Sequence, residues 1–185
     1  SIMFDFDGNA RAIEAMSDTE RNNMLMNTID RINRIKKSLG SIFTAPFQLT
    51  RAEIDKDLFL LFKSFFGKNI SDGAIISLLS EFNMFEELDN AVYHTIGKLS
   101  ITTSKDKNGK EVKKLYSGDI VLGTCSENEN SIFIFNKESN TNSKIYVSED
   151  NSVRKVNGKD EVVLSFDEDN LLKSRVTKSV ISGNN

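Results

Sequence analysis

The spacing of apolar residues changes once along this chain, near Lys98. Before that point apolar side chains recur every three or four positions. After it they alternate, and Asn-Gly pairs and Asn-rich turns punctuate them. A helical period followed by a strand period predicts an α+β fold, with N-terminal helices packed on a C-terminal antiparallel β-meander. Three or four helices and about five or six strands are expected. The boundary falls at 97/98, giving a helical half over 1–97 and a meander half over 98–185 that ends in a short helix. The two halves are expected to form one compact domain.

Local signals place the helices. Ser17 with Glu20 forms a capping box, each side chain satisfying a free amide at a helix start. The next segment sets Met24 or Leu25, Thr28, Ile32, Ile35 and Leu39 on one stripe. Arg31, Arg34, Lys36 and Lys37 gather toward its end, where the helix dipole favours cations, and Gly40 supplies a stop. Pro46 lies in a connector with apolar plugs at Phe43 and Phe47. Thr50 and Glu53 repeat the capping box, and Ile54, Leu58, Leu61, Phe62 and Phe65 line the next helix. Phe59, Leu60 and Phe66 spread its apolar surface around most of the circumference, so it is either buried on several sides or docked to a partner. Gly67 ends it, and Ser71 caps a further helix through Ile75, Leu78, Leu79 and Phe82.

Strand signals occupy the second half. Asn108-Gly109 and Asn157-Gly158 predict hairpins, the first between Leu99–Thr103 and Glu111–Tyr116, the second between Ser152–Val156 and Glu161–Phe166. Asp119–Thr124, Ser131–Asn136 and Ser143–Ser148 read as strands between them. Asp167-Glu168-Asp169 is read as the start of the final helix, through Leu171, Leu172 and Val176. The expected core includes Leu58, Leu61, Phe62, Ile75, Leu79, Val121, Ile132, Ile134, Ile145 and Val163.

Composition narrows the function classes. A net charge of −3 argues against general nucleic-acid binding, which draws on clustered Lys and Arg. Single residues Cys125 and His94 exclude an internal disulfide and a multi-ligand zinc centre. A Cys125–His94 nucleophilic pair is formally available, but a thiol after an apolar strand and an imidazole at a helix end are ordinarily inert. The N-terminus lacks the charged and apolar regions of a signal peptide, and the apolar run from Leu58 to Phe66 is too short for a membrane span. These features point to a cytoplasmic protein, or one exported without such a peptide. The one proline and abundant Asn, Ser, Lys and Ile suggest an AT-rich coding background of bacterial, phage or parasite type.

One short string carries a chemical suggestion. Ile2-Met3-Phe4-Asp5-Phe6-Asp7-Gly8-Asn9 resembles the first motif of the haloacid dehalogenase-type phosphatases, a strand leading to Asp-x-Asp-Gly-Thr. The resemblance implies Asp5 as nucleophile and Asp7 as acid/base near Mg²⁺, hence a carboxylate-based hydrolase. Asn9 stands where that motif has Thr or Val, and alternating βαβ units are missing from the pattern.

The favoured reading is a non-enzymatic protein-interaction module, an accessory or effector protein with a protein partner and no cofactor. Phe59 and Phe66 are candidate contacts if they are exposed. The Lys-rich hairpin is the third possibility. Six Lys lie between Lys98 and Lys114, and Lys105, Lys107, Lys110, Lys113 and Lys114 would contact nucleic acid there. Its blander explanation is a charged, solvated edge.

Overall fold

The computed structural model describes residues 5–39, 51–76, 97–136, 141–169 and 171–179. Among the described residues, α1 (Phe6–Ala15), α2 (Asp18–Leu39) and α3 (Arg51–Phe66) precede the sheet, followed by a 3-10 turn over Gly67–Asn69 and helical residues over 72–76. None of these helices is long and apolar enough to cross a membrane. The fold is α+β as the periodicity predicts, but the sheet has eight strands rather than five or six. They are β1 (Leu99–Lys105), β2 (Glu111–Ser117), β3 (Ile120–Ser126), β4 (Asn130–Asn136), β5 (Thr141–Val147), β6 (Ser152–Asn157), β7 (Asp160–Phe166) and β8 (Leu172–Ser179). Their spatial order is their chain order and every pairing is antiparallel.

One of the additional strands, β8, replaces the expected C-terminal helix. Asp167 does not cap a helix; its Oδ1 accepts the amides of Asp169 and Leu171, while its own N–H donates to Leu171 O at 2.9 Å. A carboxylate that binds amides two and four residues ahead can close a turn as well as start a helix. The residues downstream decide between the two. Leu172 to Ser179 carries Val176 and Thr177 in sequence and pairs along the whole of β7, a gain that an isolated eight-residue helix lacks.

Hairpin chemistry differs at the two ends of the sheet. The β1–β2 loop is not the two-residue turn that Asn108-Gly109 suggests. Asp106 N–H donates to Lys110 O, Gly109 N–H donates to Asp106 O, and Gly109 takes φ +76°. This is a three-residue loop with its left-handed position at glycine. Asp106 Oδ1 accepts from Asn108 and Lys110, the same arrangement as at Asp167. At the opposite end, Gly118-Asp119 and Gly158-Lys159 form two-residue turns with glycine first, at φ +63° and +61°.

The Ser17–Glu20 box forms reciprocally, with both bonds at 3.2 Å, and Ser71 Oγ accepts the Ala74 amide. Gly67, at φ +62°, ends α3 as expected. The stop at Gly40, the cap at Thr50, the plugs Phe43 and Phe47, and the core candidates Leu78, Leu79 and Phe82 lie outside the described residues.

Helix α3 is the centre of the molecule. Every residue from Asp57 to Gly67 is buried, including Phe59 at 0 % exposure and Phe66 at 3 %. Both phenylalanines are therefore core residues and provide no exposed docking patch. Burying each is worth roughly 1.5–3 kcal/mol, and that gain is available only because α1 and α2 cover one side of α3 and the sheet covers the other. Gly123 lets them meet: a Cβ there would lie 3.2 Å from both Phe65 Cε2 and Ile132 Cδ1.

Cover thins along the sheet. One row across the helix-facing side reads Ile101, Leu115, Gly123, Ile132, Ile145, Lys155, Val162, Thr177. Buried side chains run through β5 and reach β6 only at Val153; β7 has none, and β8 is exposed throughout. Leu58, Leu61, Phe62, Ile75, Ile132, Ile134 and Ile145 are buried as expected. Val163 is half-buried because it pairs with Arg154 on the sheet face away from the helices, while Val162 takes the helix-facing position. Val121 is half-buried because Leu115 pairs with Gly123 while Tyr116 pairs with Val121. The extra residue, Leu122, turns inward in place of Val121.

Lys63 is the one cation inside α3's buried stretch. Its Nζ donates to Glu14 Oε1 of α1 at 2.7 Å and to Ile70 O at 2.9 Å, and lies 3.6 Å from Asp72. Glu14 and Asp72 retain contact with water, so losing the ammonium strands chiefly the Ile70 carbonyl. Lys63→Met is expected to lower the unfolding free energy by about 1–3 kcal/mol in urea titration. Glu14→Gln should cost less than about 1 kcal/mol. A Lys63→Met protein as stable as the parent would show that the pinning contributes nothing.

Candidate functional site

The acidic N-terminal motif is built into a helix start. Asp5 is the N-cap of α1, its Oδ1 accepting the Gly8 amide at 3.0 Å, and Asp7 falls in the first turn. A Cβ on Gly8 would press on the Asp5 carboxylate, which would have to shift to accommodate it. The residues before Asp5 lie outside the described ones. No group of three or more His, Cys, Asp or Glu gathers for a metal among the described residues.

The five hairpin lysines do not form one array. Alternation along β2 separates Lys113, on the side of buried Leu115, from Lys114 on the opposite face. Lys113 Nζ donates to Phe65 O at 3.1 Å and sits 5.5 Å from the Phe65 ring, closing the C-terminus of α3. Lys110 pairs with Glu127 at 3.7 Å. Lys105 and Lys107 stand exposed at the tip.

Cys125 is buried beside Asn69, whose Nδ2 lies 3.8 Å from Sγ. Burial pushes its thiol up, outweighing nearby Lys113, so the sulfur stays protonated at neutral pH. His94, its suggested partner, lies outside the described residues. A cavity of about 480 Å³ opens next to the cysteine. Arg21 Nε and Asn130 Oδ1 line it, buried and without a hydrogen-bond partner among the described residues. One donor and one acceptor suit a water molecule better than a reacting substrate.

A larger cleft of about 1010 Å³ runs along α2 and is lined by Arg31, Arg34, Lys36, Lys37 and Lys98. Lys36 and Lys37 lie in the last turn of α2, where the helix dipole accounts for them, while Lys98 comes from the residue before β1. Arg31 is already committed to buried Asp57, with Nε and Nη2 at 2.9 and 2.6 Å from Oδ1.

The uncovered sheet face is richer in aromatic and charged groups. Tyr146 lies between Lys144, 5.4 Å from its ring centre, and Arg154 at 4.0 Å. Lys144 pairs with Glu129 at 3.0 Å, Ser131 donates to Glu129 at 2.6 Å, and Arg154 reaches Glu161 at 3.6 Å. Charges and ring are matched to one another, so this centre has little unsatisfied binding capacity.

The strand beyond it differs. Leu171, Leu172 and Val176, exposed at 64, 58 and 48 %, share β8 and the residue before it with Lys173, Arg175 and Lys178. Reading this segment as helix concealed an exposed strand edge that is both apolar and basic. The β-branched Val176-Thr177 pair was the one local signal for it. The other edge is blunted: Asn33 of α2 uses both ends of its amide on Leu99, at 3.0 and 2.9 Å, in place of a neighbouring strand.

The Glu129–Lys144 pair makes a pH signature. Burial raises the Glu129 pKa, but hydrogen bonds from Ser131 and Lys144, with the charges of Lys144 and Lys114, outweigh it and hold the carboxyl below 4.5. Stability from this group is present above pH 4.5 and is lost as pH falls through the lower folded value. Glu129→Gln should therefore flatten the acid limb of a stability–pH curve while costing at most about 1 kcal/mol at pH 7. An unchanged acid limb would contradict the assignment.

No protein-family model, curated protein or solved structure matches this chain.

Proposed function

We propose that this chain is a non-enzymatic interaction module, acting as an accessory or effector protein by contact rather than by catalysis, through its β8 edge. The observation that carries this reading is the juxtaposition on β8. It is an eight-residue edge strand exposed along its whole length, flanked and occupied by three of the largest exposed apolar side chains. An exposed edge offers backbone amides and carbonyls to an added strand, and the alternate side chains select which strand it is. Lys173, Arg175 and the irregular pairing near Ser165 and Phe166 would also discourage indiscriminate edge pairing, which a selective binding edge requires.

Panning a random-peptide library on the immobilised chain tests the reading. Successive amides on a strand point alternately toward its neighbour and outward, so one of Arg175→Pro and Val176→Pro removes only an outward amide. That variant should keep its melting temperature within a few degrees and lose the selected peptides. Selected peptides that bind it undiminished, or a library yielding none, would refute the edge as the working surface.

A further inference from the structure

Building on the β8 reading, we infer that the edge takes an acidic extended segment from another protein. Lys173, Arg175 and Lys178 are the only ionisable residues on β8, and all are cations. They stand in a protein whose total charge is −3, so their clustering is local.

Register spreads them over both faces. Arg175 pairs with Leu164 on the helix-facing side, while Lys178 pairs with Glu161 on the other. Lys178 is thus partly balanced across the strand, although Glu161 also serves Arg154. No carboxylate pairs with Arg175 in the register, and Lys173 is the residue left over where Ser165 pairs with Ser174 and Phe166 with Leu172. A ninth strand would place its side chains beside these cations, where acidic residues gain and basic residues lose. Val176 and Leu172 give the same strand apolar partners, so alternating acidic and β-branched residues form the best complement. A second copy is a poorer one: antiparallel β8–β8 pairing gathers six cations on two adjacent strands with no carboxylate between them.

Two fluorescein-labelled octapeptides, alternating valine with glutamate and valine with lysine, provide the probes. Fluorescence anisotropy with the full chain should show the glutamate peptide binding at least about tenfold more tightly at low salt, a gap that closes at high salt. Lys173→Glu, Arg175→Glu and Lys178→Glu together should reverse the preference, with backbone amide resonances of β8 shifting in the parent complex. Equal affinities, or preference for the lysine peptide, would overturn the acidic partner and leave the interaction-module reading standing. Peptide-free dimerisation in sedimentation that blocks peptide binding would overturn it in favour of a second copy. Binding of neither peptide, with β8 resonances unmoved, would remove the acidic partner as well, and a failed library selection would then remove the module reading.

Discussion

An ammonium group shut away from water costs several kcal/mol unless its surroundings replace the lost hydration. Lys63 places one in the last turn of the most buried helix of the molecule. Its partners come from three places: Glu14 on α1, the Ile70 carbonyl beyond the 3-10 turn, and Asp72 at the next helical turn. Because each partner must be in place together, the position of α1 and the path of the chain after Gly67 are linked to the burial of α3. Arg31 and Asp57 fix α2 to the same helix from another side. The helical layer is therefore organised around α3, and the sheet is covered only as far as that layer reaches.

The same limit divides the sheet into two regimes. Through β5 the helix-facing row is apolar and closed; from Lys155 onward it is mixed and open. Asn151 joins the regimes. With φ +63°, it accepts the Gly73 amide at 3.0 Å and donates to the carbonyls of Phe166 and Asp167 at 3.2 and 2.8 Å. A side chain on Gly73 would collide with the Asn151 amide oxygen. This polar junction holds the C-terminal hairpin to the helical part without burying it, which leaves β8 ordered as a strand and open at its edge.

Much of this was legible in the residues, for reasons that differ by element. The Ser17–Glu20 box and the Gly67 stop depend on local chemistry, so the sequence signal and the observed geometry coincide. The Phe-rich helix revealed that it needed cover on several sides, but not what would supply it. Core is the leading reading for Phe59 and Phe66, and α1, α2 and the space left by Gly123 supply the cover it requires. Val121 gave way to Leu122 because a bulge changes strand phase, and the continuous apolar run Ile120-Val121-Leu122 hides that change. At Asp167, a side chain able to cap a helix or close a turn left the choice to tertiary pairing with β7. The β8 edge was missed at this step, and with it the surface on which the functional reading rests.

Amide hydrogen exchange on the unliganded chain most directly tests whether cover ends before β8. Protection should be greatest in α3 and β2 to β5, decline across β6 and β7, and be least on the outward amides of β8. Outward β8 amides protected as strongly as those of β4 would show that the edge is already occupied, and would contradict the account at its centre.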